Sequence, residues 1–527
     1  MQFTDKNNSI YSIDRPEEFL SDRALERRSR QNIAITEQDL PVKSEYIDSL
    51  EQMGLELINI SKWFNGATFA CTDSVLVETL ENIGFVEGKP VLVRPLAPEE
   101  KSAQKKVKDK FNTFTEIADY GPSYQQVGML NGDSLHARGF EGQGMLIAIL
   151  DAGFTNANAV SSLQHIWEDG RILGVRDFVK DGNSIYISHS HGTVVFTIIG
   201  GIYPTYLYGS ATEADFLLVR TEEHSLYASE NIIEEYNWVT GAEYADSMGA
   251  DIISSSLGYS YFDDPSQDHT YADMNGRTTP ISIGANIAAS KGILVVTSAG
   301  NSAGPPWFKI TAPADADSIL AVGAVDSSGI ITGFSSRGPS YDGRVKPDVC
   351  AMGYLNISQH PFGHLTYCTG TSCSAPVISG LAACLWQAHP EAGNLQIIDA
   401  ILTSSNRYLS PDSVYGYGLP DFYIADRILS YLVEEGPSDL LTLRLYPNPV
   451  VDHFNLEIIR KDRDDPKKCL ISCIDLIGRN TIMEEIELDT WFTLYQSPAL
   501  HTLSTGMYVL RITYESHTYA IPFMKVR

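Results

Sequence analysis

Three patterns of hydrophobic and polar positions succeed one another along the chain. In the middle, short and almost unbroken apolar runs recur, at Met145 to Leu150, Ile252 to Ile253 and Ile293 to Val296. Strands buried on both faces read as continuous apolar runs rather than as alternation. Between these runs the period lengthens to that of a helix, as from Tyr236 to Met248, which feeds the strand Ala250 to Ser255. Strand and helix alternating in this way predict an α/β domain over 120–433, a parallel sheet with helices on both faces. Downstream, over 441–527, the period shortens to two, at Phe454 to Ile459, Leu470 to Leu476 and Met507 to Thr513. Turn residues separate these segments, which predicts a small β-sandwich.

Residues 1–96 mix the two periods. A strand is expected near Ser9 to Ile13, and a helix from Ser44 to Met53 closed by Gly54. Strands come next at Leu55 to Lys62 and Ala67 to Cys71 around Asn65-Gly66, a strong hairpin signal. A helix capped by Asp73 or Ser74 runs to Ile83, and a last strand spans Lys89 to Leu96. The order β-α-β-β-α-β is that of a ferredoxin-like α+β domain. Arg23, Arg27, Arg28 and Arg30 fall at helical spacing and are expected on a solvated face. Two linkers separate the three domains: 97–119, charged and lysine-rich and open to proteolysis, and 434–440, acidic with Gly436-Pro437.

Several stretches at strand or helix ends carry chemistry. Gly370-Thr371-Ser372-Cys373-Ser374-Ala375-Pro376 puts a serine at the entrance of an apolar helix, with proline in the first turn where its missing N–H is harmless. A hydroxyl there sits at the positive end of the helix dipole, which suits a nucleophile whose reaction generates an oxyanion. The run Met145 to Leu150 ends in Asp151-Ala152-Gly153, and Ser190-His191-Gly192-Thr193 opens another apolar segment. Gly292 to Ser298 leads into Ala299-Gly300-Asn301. An acid, a histidine and a serine in this order are not the Ser…Asp…His order of α/β-hydrolases. His189 lies two residues before His191, but only His191 heads a His-Gly-Thr string; His360 and His364 read as loop histidines.

These strings resemble the subtilases, the subtilisin-like serine proteases. The resemblance implies Asp151, His191 and Ser372 as catalytic triad and Asn301 as oxyanion donor. Ser256, Leu257 and Gly258, with Ala299 and Gly300, line the substrate cleft in this reading, and the loops 263–279 and 354–366 rim it. Gly333 to Pro339 and Lys346 to Val349 are further family-like strings. The sequence departs from the pattern at Ala152, commonly serine or threonine, and at Cys373-Ser374, commonly a larger residue and alanine; neither change removes a catalytic group. A ferredoxin-like N-terminal domain matches the family's inhibitory prodomain, with self-cleavage expected inside 97–119. Leu445-Tyr446-Pro447-Asn448-Pro449, Asp475-Leu476-Ile477-Gly478-Arg479 and Leu503 to Leu510 resemble the C-terminal sorting domain of type IX secretion substrates. The resemblance thus implies a secreted or cell-surface endopeptidase acting on proteins or peptides, with its own prodomain and the secretion machinery as partners. Two other readings share these residues: a binding or inhibitory protein of the same fold without turnover, and an acyl-ester hydrolase using the same triad.

Composition narrows the choice. A chain of 527 residues, 43% hydrophobic and 20% charged, is globular and too long for one core. A net charge of −28 argues against nucleic acid as a partner, and no apolar run is long enough to span a membrane. Met1 to Lys6 lacks the pattern of a secretory signal, so the expectation is an exported monomer whose signal peptide was removed. No metal-ligand spacing such as HExxH occurs and the triad requires no cofactor. A structural calcium, which many subtilases bind, would find oxygens at Asp177, Asp181 and Asn183, residues that equally read as a polar turn. The chain has seven cysteines, an odd number that leaves at least one unpaired. Cys350 and Cys368 form a candidate disulfide; Cys384 reads as core, Cys469 and Cys473 share one strand face, and Cys71 remains.

Overall fold

The structure, a computed structural model, describes residues 1–7, 9–91, 120–179, 184–223, 230–408, 410–432, 440–460, 467–488 and 492–527. The N-terminal elements are β1 (Gln2–Phe3), α1 (Asp22–Arg30), α2 (Ser44–Gln52), β2 (Glu56–Ser61), β3 (Gly66–Ala70), α3 (Ser74–Thr79) and β4 (Val86–Glu87). Their sheet is antiparallel in the order β2-β3-β1-β4, with α1 added to the expected succession. Asp73 caps α3 by accepting from the N–H groups of Val75 and Leu76. The first strand is Gln2–Phe3 and not Ser9 to Ile13, because Phe3 enters the small core with Leu50 and Leu80 while Ile10 and Ile13 face solvent. The last strand ends before Lys89; residues 92–96 and the linker 97–119 lie outside the described residues.

The central apolar runs become β5 (Leu146–Asp151), β6 (Ile172–Asp177), β7 (Asp215–Arg220), β8 (Ile252–Ser255), β9 (Leu294–Ser298), β10 (Leu320–Val325) and β11 (Val349–Met352). They form one parallel sheet in the order β11-β10-β9-β8-β5-β7-β6. The long helices of this region include α4 (His191–Gly200), α5 (Ile233–Met248), α6 (Pro280–Ser290) and α7 (Thr371–Ala388). Leu146, Ala148 and Leu150 of β5 share a core with Trp238 and Ala242 of α5 and Ile281 and Ala285 of α6. The alternate residues Ile147 and Ile149 are equally buried. Both faces of the sheet are therefore covered, the expected α/β layering. The stretch 354–366, expected as a loop, carries part of a hairpin, β12 (Asn356–Gln359) with β13 (Leu365–Cys368).

Residues Met1–Phe422 make one compact unit and Tyr423–Arg527 a second. The second holds β14 (Leu441–Tyr446), β15 (Asn455–Arg460), β16 (Lys467–Asp475), β17 (Asn480–Leu488), β18 (Phe492–Gln496), β19 (Gly506–Tyr514) and β20 (His517–Lys525). Two antiparallel sheets, β14-β15-β18 and β17-β16-β19-β20, enclose a core that includes Phe454, Leu510 and Phe523. Cys469 and Cys473 of β16 both point into it, unbridged.

Of the four arginines of α1, Arg30 is exposed and Arg23 half-buried, but the other two do not lie on a solvated face. Arg27 and Arg28 are buried, and they dock α1 against the C-terminal end of α5. Arg27 donates to the Asp246 carboxylate and to the Ala250 carbonyl, both at 2.5 Å, and to the Lys291 carbonyl at 3.2 Å. Arg28 bridges Asp39 at 3.0 Å and Asp246 at 2.9 Å. Amphipathic spacing marks these positions as one face but cannot say whether that face meets water or a partner carboxylate. A helix C-terminus leaves carbonyls without partners and favours nearby cations, and Arg23 likewise donates to the Gly249 carbonyl at 3.0 Å. On the same helix the Glu243 carboxylate accepts from the N–H groups of Lys62 (2.8 Å) and Trp63 (3.0 Å) and from the Ser61 hydroxyl (2.5 Å). Burial pushes the Glu243 carboxyl up, whereas Asp246, also buried, is held below the ordinary range by Lys62, Arg27 and Arg28.

Removing one member of a buried ion pair strands the other and costs about 3–5 kcal/mol. Arg27→Ala in the whole chain should therefore loosen residues 1–91 from α5. Hydrogen exchange at the Lys62 and Trp63 amides should quicken by about 10²–10⁴-fold; unchanged exchange would show that the attachment does not rely on Arg27.

Candidate active site

Asp151 is the last residue of β5 and is wholly buried. An isolated buried carboxylate is costly, and this one is compensated. Its oxygens accept from the Ala152 N–H at 2.8 Å and lie 2.9 and 3.0 Å from Nδ1 of His191. His191 is the first residue of α4, and that helix starts close to β5 because residue 192 is glycine. A Cβ at Gly192 would come within 3.0 Å of the Asp151 Cβ and 2.5 Å of the Gly153 carbonyl oxygen. With Nδ1–H donating to Asp151, Nε2 is the ring nitrogen left to accept a proton. Burial disfavours the His191 imidazolium, but the Asp151 charge and hydrogen bond outweigh it, and the pKa stands above the ordinary 6.5. His189 serves the backbone beside this pair: its Nδ1 accepts from the His191 N–H at 3.3 Å.

Ser372 is the second residue of α7, preceded by Gly370 as the helix cap. Gly370 has φ of 150°, and a Cβ there would lie 2.9 Å from Ser372 Oγ and 3.3 Å from Asn301 Nδ2. The hydroxyl and the amide thus converge on one point that only glycine leaves open. Asn301 comes after β9 and the turn Ala299-Gly300. Its Oδ1 accepts from the Thr371 N–H (2.8 Å) and the Thr371 hydroxyl (3.0 Å), so the NH2 end of the amide is the one turned outward. The Thr371 hydroxyl also accepts from the Gly300 N–H at 3.1 Å. Ser256-Leu257-Gly258 extends β8; the Ser256 hydroxyl donates to the Ser372 carbonyl at 2.9 Å, Leu257 is buried and Gly258 is exposed. Among the described residues no hydrogen bond joins Ser372 directly to His191. In structures without substrate such contacts are often long and tighten when the reaction complex forms.

Other residues shape the site without a motif of their own. Arg220 closes β7 next to Asp151, donating to the Ala152 carbonyl and to Asp177, both at 3.2 Å. Its only sequence signal is a cation ending the apolar run Phe216 to Val219. Asp177 accepts from the Arg220 guanidinium and, on its other oxygen, from the Val179 N–H at 3.0 Å; Asp181, Gly182 and Asn183 lie outside the described residues. The expected Cys350–Cys368 disulfide is replaced by Cys368–Cys373, with Cα atoms 5.9 Å apart. Cys350 points instead under the Tyr415 carbonyl and packs beneath Gly323. The hairpin β12–β13 returns Cys368 to the start of α7, a proximity that spacing alone does not reveal.

Each part of the chain has relatives among known proteins. Residues 1–110 match the Peptidase S8 propeptide domain of Bacteroidota and residues 444–524 the secretion-system C-terminal sorting domain. Subtilisin E of Bacillus subtilis is 28% identical over 330 residues, covering 61% of this chain and 77% of that protein. Serine protease AprX of the same organism is 28% identical over 341 residues, covering 60% and 71%. Among solved structures, MycP1 from Mycobacterium smegmatis superimposes with a TM-score of 0.45 at 21% identity, over 63% of this chain and 92% of that one. The sorting domain makes the protein secreted or attached to the cell surface. Residues 142–418, more than half of the chain, match the subtilase family model, and the chain belongs to that family as a serine protease made as a zymogen.

Proposed function

We propose that the protein is a secreted endopeptidase that hydrolyses peptide bonds through Asp151, His191 and Ser372 and that cuts its own chain within 97–119. Two observations carry this reading: the Asp151–His191 pair at 2.9 Å, and a turn where Ser372 Oγ and Asn301 Nδ2 approach one point. In the first step the Ser372 oxygen attacks the carbonyl carbon and its proton passes to His191 Nε2. Asp151 keeps Nδ1 protonated and stabilises the imidazolium, while the Asn301 amide and the Ser372 N–H donate to the oxyanion. His191 returns the proton to the leaving amine; a water, deprotonated the same way, then releases the acyl group. Ser256, Leu257, Gly258, Ala299 and Gly300 are assigned to the walls that hold the peptide. Residues 1–96 act as intramolecular inhibitor until the linker is cut, and the processed form is a monomer.

Three measurements test the assignment. Wild-type protein should show a new N-terminus within 97–119 by mass spectrometry, and Ser372→Ala should not; identical processing of both would assign the cut to another protease. Asn301→Ala should lower kcat by about 10²–10³-fold with little change in KM, and an equal loss through KM alone would remove Asn301 from the oxyanion site. Turnover needs neutral His191, whose pKa is raised, so kcat/KM should climb with pH through a midpoint above 6.5. Asp151→Asn removes the charge that raises it, so the midpoint should move down while kcat falls by roughly 10⁴-fold. A midpoint that stays in place would mean that Asp151 does not set the His191 titration.

A further inference from the structure

Ser372 lies inside a covalent ring. The bridge between Cys368, the last residue of β13, and Cys373, in the first turn of α7, closes a loop that contains only Thr369, Gly370, Thr371 and Ser372. Each of the last three already has a place in the site: Gly370 leaves the open point, Thr371 orients Asn301, and Ser372 carries the hydroxyl. Cys373 is wholly buried, and its sulfur is 3.9 Å from Ser372 Oγ. We propose that this disulfide is a positioning element for the nucleophile, and that opening it with a dithiol reductant reversibly lowers the rate at which Ser372 attacks. The inference rests on Ser372 being the nucleophile.

The physical basis is constraint. Gly370 sits at φ of 150°, a region in which glycine has great freedom in the absence of other restraints. From its N-terminal side the turn is tied to the sheet by the Gly370 N–H to the Gly353 carbonyl at 2.8 Å. From its C-terminal side it is tied by Asn356, which donates to the Cys373 carbonyl at 3.0 Å and to the Met352 carbonyl at 2.9 Å. Asn356 is itself paired with Cys368 in the hairpin register. The disulfide thus locks together the two segments that hold the turn, and the hairpin beyond it ends in the exposed Phe362. Loss of the lock would let the hydroxyl drift, and a displacement of about 1 Å costs about 10²-fold in rate.

The remaining cysteines do not compete for this role. Cys350, Cys384, Cys469 and Cys473 are buried and unbridged, and burial pushes the thiols of Cys350 and Cys469 up to about 12 and that of Cys473 to about 11. Such thiols carry little thiolate and exchange slowly. Formation of the bridge gives up two protons and two electrons to an oxidised disulfide donor, which leaves as a dithiol. Reduction runs the other way: a thiolate of the reductant attacks one sulfur, its second thiol resolves the mixed disulfide, and the protein regains two thiols while the reductant cyclises. An exported protein meets the oxidising side of that exchange.

The test uses the processed protein and a fluorophosphonate probe, which reads the attack of Ser372 directly. Non-reducing peptide mapping should find Cys368 joined to Cys373. Reduction with dithiothreitol should lower the maximal labelling rate by about 10–10²-fold, leave the half-saturating probe concentration nearly unchanged, and reverse on reoxidation, with circular dichroism showing the fold intact. Cys368→Ala/Cys373→Ala should be slow from the start and indifferent to dithiothreitol. Should the double variant not fold, the reversible reduction of wild type decides alone. Free thiols at both positions in the active protein, or undiminished labelling after the bridge is shown to be open, would overturn the proposal while leaving the protease reading intact. No labelling of Ser372 in the oxidised, processed protein would overturn both.

Discussion

Covering both faces of a parallel sheet leaves only its two ends to do anything else. In this chain every residue of β5 from Leu146 to Asp151 is buried, and helices lie on either face, so polar chemistry is confined to where strands begin or stop. The carboxyl end gathers Asp151 from β5, Ser256 from beyond β8 and Asn301 from beyond β9, residues far apart in sequence and brought level by strand register. Backbone N–H groups, helix starts and turns are available there, the usual reason that open α/β sheets place their sites at this end. The opposite end has a different use. The carbonyls of Ala250 and Lys291, which precede β8 and β9, accept from Arg27, so the end that does no chemistry takes part in holding the N-terminal domain.

That hold joins buried charge to apolar contact, for Trp63 lies in the same core as Leu146 and Trp238. Arg27, Arg28, Lys62 and Lys291 surround Asp246 and Asp39 in a cluster removed from water. Buried ion pairs offset their desolvation only when geometry is good, and they contribute more to choosing a partner and a register than to raw stability. An apolar patch of the same size would tolerate sliding along α5; Glu243 receiving two consecutive amides at Lys62 and Trp63 does not. The same logic operates at Asp151, where a buried carboxylate is tolerated because the Ala152 amide and the His191 ring complete it. In both places the charge is tolerated only in one geometry, and that geometry is what the function requires.

How local each signal is decides what the sequence reveals. The strand ends at Asp151 and Asn301 were legible because an apolar run stopping at a polar residue is a contiguous pattern, and the Ser372 helix because small residues and a proline mark its entrance. Asn65-Gly66 and Asp73 announced a hairpin and a cap within four residues. Arg27 and Arg28 were not legible: their helical spacing defines a face, but whether water or Asp246 meets it depends on a contact more than two hundred positions away. Cys368 and Cys373 failed for the opposite reason. Spacing alone does not say whether such a pair meets, and here the reversal of the hairpin β12–β13 and the sharp turn at Gly370 bring their Cα atoms to 5.9 Å. Arg220 and Thr371 carry no signature because their work is to orient neighbours.

Those silent residues explain why the turn before α7 needs so many anchors. A serine at a helix start is free to choose among rotamers, and an amide such as that of Asn301 is free to present either end. Neither freedom is removed by the catalytic groups themselves. Thr371 removes the second by giving both its N–H and its hydroxyl to Asn301 Oδ1, which leaves only donors facing the cleft. The Ser256 hydroxyl on the Ser372 carbonyl and the glycine at 370 fix the backbone from which the first must be chosen. Each contact is an ordinary hydrogen bond worth about 1 kcal/mol, too weak to hold the turn alone. Acting on one another's neighbours within four residues, they share the load, and preorganisation here is a property of the turn rather than of any triad member.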